Sequence, residues 1–348
     1  MKERKYKILI TSYLEPVFVK KISEVDPRVE VIYRPDLLAK PRYEADHVGA
    51  YFERSAADES LWKQLLSEAD ILFDFDRKYQ RELPDISPDL RWVQGTSSGI
   101  HQLVLQNRYP ERLPNTIFTS AKGVHAIPLS EFCLMSMLVF TKQLFPNLDL
   151  QRQKKWQRYA TTELNSRTVL IVGVGEIGQE VARLAKAFGM ITKGIKRNTS
   201  GIKAATLHLD ELHGPNALDE LLPGADFLVL VAPHTAETEN MIGREQLDLM
   251  KRGSVLINMS RGALVDEKAL IETLESGGIA GASLDVFQHE PLPQDSPLWT
   301  MPNVLVSPHS GSTSNKENER ITDLFCENIK RFLADQPLIN VLDTHGLK

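Results

Sequence analysis

Three ionisable residues stand just past strand-like runs in the second half of the chain: Arg261 after INMS, Glu290 after LDVF and His309 after VLVSP. An imidazole can give a proton to a carbonyl as a hydride arrives and take it back in reverse, and a carboxylate beside it holds the tautomer and raises the pKa. A guanidinium grips a carboxylate through two parallel hydrogen bonds and polarises an adjacent carbonyl. Singly, each residue has an ordinary explanation: a solvated loop arginine, a glutamate that caps or solvates before proline, a histidine that bonds structurally. Together, after successive strands of one nucleotide-binding sheet, they suit hydride transfer to and from a 2-oxo acid.

The hydride carrier has a matching stretch. TVLIVGVGEIGQEVARLAKAFGM, residues 168–190, reads as a buried strand, a glycine turn and a helix with Val181, Leu184, Ala185 and Phe188 on one face. Gly173, Gly175 and Gly178 permit a tight turn, close approach of a pyrophosphate and close helix-on-strand packing, with the phosphate on N–H groups at the helix N-terminus. The spacing alone is a weak signal, because glycines at such a turn can be purely structural, but here strand and helix flank it in the required order. An acidic residue about twenty positions on would select NAD through the ribose 2′-hydroxyl. This chain has Lys196, Arg197 and Asn198 there, followed by Thr199 and Ser200. That basic, hydroxyl-rich loop suits the 2′-phosphate of NADP, with NAD as the other possibility.

Position for these residues comes from alternating strands and helices. From KILIT (7–11) and VEVIY (29–33) a parallel sheet starts, continues through ILFDF (71–75) and RWVQ (91–94), and ends in TIFTS (116–120). Residues 34–58 mix proline, glycine and charge without a period and read as an excursion. A helix from about 128 to 144 is apolar nearly all round and hence buried. After the glycine motif, runs at 191–196, 227–232, 254–260, 281–287 and 303–309 alternate with helices, and 318–335 forms an amphipathic last helix. The fold class expected is α/β, doubly wound, with ligands outside the carboxyl ends of the strands.

The 348 residues suffice for two domains, and 42% apolar with 25% charged residues is an ordinary globular composition. A net charge of −5 without a basic block argues against nucleic acid as partner. No run approaches the roughly eighteen apolar residues of a membrane span. Lys2, Arg4, Lys5 and Lys7 read as solvated ends rather than a targeting signal, so a cytoplasmic protein is expected. Cys133 and Cys326, the only cysteines, fit buried inert thiols better than a disulfide or a metal pair, and no metal is expected.

The segments GVGEIGQEVA, APHTAETENMI, MKRGSVLINMSRGALVDEKALIETLESGGIAGASLDVFQHEPLP and SPLWTMPNVLVSPHSG resemble the D-isomer-specific 2-hydroxyacid dehydrogenases, strongly from about 120 to 312 and weakly before. The resemblance implies two parallel-sheet domains, a flavodoxin-like substrate domain of residues 1–118 plus 312–348 and a Rossmann domain of 119–311. It also implies a cleft between them closed by hinges near 119 and 311. It implies Arg261 as substrate-orienting cation, His309 as general acid/base and Glu290 as its partner. Cofactor contacts fall at Glu176, Ile177, Ala232, Pro233 and Asp285, the last on the nicotinamide carboxamide. SSGIH resembles the family's carboxylate-binding loop, with the N–H groups of Ser98 and Gly99 as an anion nest. His101 stands where the family often has Asp. Phe75 and Trp299 are expected, by analogy, to set pocket size. Members are commonly homodimers joined through the helix near 128–144, and the NADPH-using ones often reduce glyoxylate or hydroxypyruvate. Two alternatives stay open: dehydrogenation of another small acid such as phosphonate, and a nucleotide-sensing corepressor on the same scaffold. Formate dehydrogenases carry Gln where this chain has Glu290, and many phosphoglycerate dehydrogenases carry a regulatory domain after the last helix, where few residues remain here.

Overall fold

Short β-branched and aliphatic runs pair into two all-parallel sheets in the computed structural model, which describes residues 5–343. Lys2 and Arg4 lie outside the described residues. The chain divides into two units, one running to His125 and resuming at Thr313, the other spanning Ala126–Ser312.

The first unit holds β1 (Tyr6–Ile10), β2 (Val29–Ile32), β3 (Ile71–Phe73), β4 (Trp92–Gln94) and β5 (Ile117–Thr119), ordered β2-β1-β3-β4-β5. This is the flavodoxin-like order. Strand periodicity of two divides the apolar residues between faces. Leu9, Leu72 and Val93 pack with Trp62 and Phe118 in one cluster, while Ile8, Ile10, Phe73 and Trp92 pack in another. The second face is covered by the last helix, Glu317–Leu333, whose Phe325 lies 4.9 Å from Trp92 and 5.1 Å from Phe73 between ring centroids. Ala121 and Val124 join that same cluster, which carries the first unit past residue 118 to His125.

Phe75 does not serve the role expected of it. It is 2% exposed and stacks on Tyr109 and Phe118, so it belongs to the core.

The 34–58 excursion has one short turn, Pro35–Leu37, runs into the helix Ala56–Glu68 at its end, and between them is held by side chains instead of by a ladder. Arg54 donates from Nε to the Leu37 carbonyl at 2.7 Å and lies 4.4 Å over the Trp62 ring. Asp46 accepts from the Arg42 guanidinium and from the backbone N–H groups of Arg42, Val48 and Gly49. Burial works to raise the Asp46 pKa, but these donors outweigh it and hold the carboxyl well below the usual carboxylate range.

The second unit holds β6 (Thr168–Val172), β7 (Ile191–Ile195), β8 (Glu211–His213), β9 (Phe227–Leu230), β10 (Val255–Asn258), β11 (Gly281–Leu284) and β12 (Val304–Val306). Their order, β12-β11-β10-β9-β6-β7-β8, is the Rossmann arrangement extended by one strand. Strand order reverses between β6 and β9, which places a crevice at their carboxyl ends. The long apolar helix runs Ala126–Thr141 and packs on the helix Glu176–Ala187. Both cysteines are free and buried, and burial pushes the Cys133 thiol up to about 12 and the Cys326 thiol up to about 11. No helix among the described residues is long and apolar enough to cross a membrane.

Because the folded Asp46 pKa is depressed, its stabilising contribution is complete above the unfolded carboxyl pKa, about 4, and fades as pH falls towards the folded value. Asp46→Asn is expected to lower stability to chemical denaturation at neutral pH, with the gap to wild type narrowing steadily below about pH 4.

Candidate active site

The carboxyl ends of three neighbouring strands, β10, β11 and β12, carry the three ionisable residues, all in the second unit. At the end of β10, buried Asn258 clamps the turn: its Nδ2 donates to the Arg261 carbonyl at 3.0 Å and its Oδ1 accepts from the Ser260 N–H at 3.1 Å. Ser260 donates through Oγ to the Ala232 carbonyl, tying this turn to the loop after β9. Arg261 is exposed, and among the described residues its guanidinium donates once, to the Ser260 carbonyl at 2.7 Å. Gly262 makes the geometry possible. A Cβ there would lie 1.9 Å from the Phe287 carbonyl carbon, so only glycine lets the Arg261 turn press against the segment leading to Glu290.

His309 Nδ1 donates to Glu290 Oε2 at 2.7 Å, and Glu290 Oε1 accepts from the Phe287 N–H at 3.0 Å. An ionised carboxylate can only accept, so it requires the proton on Nδ1 and leaves Nε2 for exchange with another group. His309 sits at φ 54°, a left-handed conformation that a non-glycine residue adopts only when its surroundings impose it. The imposing residue is Asp285, 2% exposed at the end of β11. Its Oδ1 accepts from Ser307 Oγ at 2.6 Å, Ser310 N–H at 2.8 Å and Gly311 N–H at 3.0 Å, while its carbonyl accepts from the His309 N–H at 2.9 Å.

The glycine motif occupies the crevice between β6 and β9. Gly173 has φ 102°, and a Cβ on it would meet the Ala232 nitrogen at 2.4 Å; one on Gly178 would meet the Gly173 oxygen at 2.5 Å. One on Gly175 would meet nothing within 4 Å, so the missing atom there opens onto free space. The helix Glu176–Ala187 starts immediately after, with no side chain capping its first turn. Glu176, Ile177 and Gly178 form that turn, Ala232 forms the opposite wall after β9, and Pro233 follows it in the same loop. These features fit a dinucleotide pyrophosphate, bound by backbone N–H groups at a positive helix end.

Past β7 the basic loop is divided in its contacts. Lys196 Nζ donates to the Val174 carbonyl inside the glycine turn at 2.8 Å. Arg197 is 71% exposed, with Glu237 Oε2 3.9 Å away, and Asn198 Oδ1 accepts from the Ser200 N–H. In the first unit Ser98 and Gly99 are exposed in the loop after β4, and Ser97 accepts from the Ala121 N–H. His101 starts the helix His101–Gln106, its Nε2 buried without a hydrogen-bond partner among the described residues. Trp299, in the second unit, is half exposed and donates to the Pro293 carbonyl.

Sequence reasoning missed Asn258, Gly262 and Ser307, whose work is to hold the others. A glycine directly after the arginine was visible, but its reason, contact with Phe287, is far along the chain.

Residues 134–311 match the NAD binding domain of the D-isomer specific 2-hydroxyacid dehydrogenase family. Glyoxylate reductase from Thermococcus onnurineus is 41% identical over 289 residues, 80% of this chain and 84% of that protein. D-3-phosphoglycerate dehydrogenase from Methanocaldococcus jannaschii is 34% identical over 65% of this chain, but the match spans only 43% of that longer protein. Among solved structures, the NADPH-dependent glyoxylate/hydroxypyruvate reductase from Sinorhizobium meliloti, in complex with NADP and sulfate, superposes with a TM-score of 0.76 at 27% identity, over 97% of this chain and 98% of that one. The strand-end constellation and the glycine crevice thus sit in a nicotinamide-dependent oxidoreductase scaffold. The chain belongs to the D-isomer specific 2-hydroxyacid dehydrogenase family.

Proposed function

We propose that this protein reduces a small 2-oxo acid, glyoxylate or hydroxypyruvate, to the D-2-hydroxy acid with NADPH. The observation that carries this reading is the 2.7 Å contact between His309 Nδ1 and Glu290, which commits one ring nitrogen and frees the other. The bound nicotinamide supplies the hydride. His309 Nε2 gives its proton to the carbonyl oxygen as negative charge develops there, and Glu290 stabilises the imidazolium before that transfer. Arg261 polarises the carbonyl and holds the carboxylate; its one intramolecular bond leaves most of its donors for a substrate. In this reading the N–H groups of Ser98 and Gly99 also bind the carboxylate, and Asp285, besides holding the His309 loop, contacts the carboxamide through Oδ2, which among the described residues accepts only from Gly311.

Support for NADP comes from the charge past β7. Lys196 braces the glycine turn and Arg197 offers an exposed guanidinium to a 2′-phosphate. Relatives reported as glyoxylate reductases, and the NADPH-dependent structural neighbour, favour the same donor and substrate class. The enzyme of this reading is a cytoplasmic homodimer. Exposed Ile127, Met135 and Trp156 offer apolar surface for a second copy, and free buried thiols suit a reducing compartment.

His309→Gln is expected to lower kcat by roughly 10²–10⁴-fold, the usual size of a general acid–base contribution, with NADPH affinity by fluorescence titration unchanged. Undiminished turnover would remove His309 from this role. Lys196→Asp combined with Arg197→Ala should reverse the NADPH-to-NADH ratio of kcat/KM, and an unchanged ratio would mean the loop does not read the 2′-phosphate.

A further inference from the structure

In a chain of net charge −5, one concave site is lined by arginines and amides alone. It lies on the first unit, a cavity of about 360 Å³ bounded by Arg81, Gln106, Asn107, Arg108 and Arg112. Arg81 precedes the short helix Leu83–Ile86, and its side chain makes no hydrogen bond or ion pair with the described residues. Arg108 sits at φ 54° between the helices His101–Gln106 and Tyr109–Arg112, which turns the chain back and brings its ends to one rim.

That rim is built, not incidental. Buried Tyr109 donates from its hydroxyl to the Gln80 carbonyl at 2.5 Å, and Arg112 donates to the Arg81 carbonyl at 2.6 Å. Asn107 donates through Nδ2 to the Leu103 carbonyl at 2.9 Å. The segments that carry Arg81 and Arg112 are therefore pinned together, although the two residues lie 31 positions apart in the chain.

Two carboxylates lie near but outside the cavity lining. Asp85 accepts from Arg112 at 2.8 Å and Glu111 accepts from Arg108 Nε at 2.7 Å. Both are well exposed, with side chains 75% and 61% accessible. Exposed ion pairs of this kind contribute little and exchange readily for a better anion. Arg108 Nη1, Arg112 Nε and the whole Arg81 guanidinium remain as donors, and the amide of Gln106 adds two more.

We propose that this cavity of the first unit binds a small, multiply charged oxyanion, a phosphate ester or a diphosphate, through residues other than Arg261, Glu290 and His309. Guanidinium groups match phosphate oxygens bidentately, and three of them line this one concave surface. The helix His101–Gln106 runs from the Ser98–Gly99 loop to this rim, so the ligand touches the far end of the element that follows that loop.

Isothermal titration of the full chain with inorganic pyrophosphate, at ionic strength held constant with chloride, tests the site. Saturable binding of one equivalent is expected, weakened about tenfold or more in Arg81→Gln/Arg108→Gln. The substituted side chains are exposed, so the thermal unfolding midpoint should not move. If the double variant fails to fold, Arg81→Gln alone, whose side chain has no partner to lose, should weaken binding at least threefold. Absence of saturable binding, or wild-type affinity in the folded variant, overturns the proposal, the latter placing the anion elsewhere, the glycine turn included.

Discussion

A single buried carboxylate fixes the geometry on which the candidate chemistry rests. Asp285 ends β11 and gathers the Ser307 hydroxyl and the Ser310 and Gly311 N–H groups on one oxygen, while its carbonyl takes the His309 N–H. Such charge-assisted bonds in a buried setting are strong, and leaving any of these donors unpaired would be costly. They hold His309 in a left-handed conformation that its own side chain disfavours and aim its ring at Glu290. The imidazole is thus positioned from the backbone side by Asp285 and from the ring side by Glu290.

The same economy appears across the sheet. Gly173 closes on Ala232, Ser260 bonds the Ala232 carbonyl, and Gly262 closes on Phe287, so the loops after β6, β9, β10 and β11 brace one another in sequence. Parallel topology makes this possible, because every strand delivers its loop to the same edge. The small residues are as informative as the charged ones: each marks where two loops must touch.

Much of this was legible in the sequence because it is local. The strand–glycine–helix motif, the helix Glu267–Glu275 and the strand-end positions of Arg261, Glu290 and His309 follow from periodicity and from residue types within a few positions. What was not legible depends on distant partners. The strand Glu211–His213 is three half-buried residues without an apolar run, and becomes a strand only by pairing with β7. The helix Leu144–Arg152 has no buried residue and hence no apolar face to announce it. Phe75 looked like a pocket residue from its place at a strand end, yet ring stacking with Tyr109 and Phe118 draws it into the core. The excursion of residues 34–58 is ordered by Arg54 and Asp46, single polar side chains whose partners no periodicity reveals.

Hydride transfer to a 2-oxo acid is the chemistry that Arg261, Glu290 and His309 fit. Its most direct test is the loss of NADPH absorbance on purified full-length protein offered glyoxylate, hydroxypyruvate, pyruvate, phenylpyruvate and 2-oxoisocaproate in turn, with the product analysed for configuration. Turnover of a small 2-oxo acid to the D-hydroxy acid, faster with NADPH than with NADH, is the predicted result. Tight dinucleotide binding without turnover of any of them would contradict the account and favour a nucleotide sensor or an oxidant of another small acid.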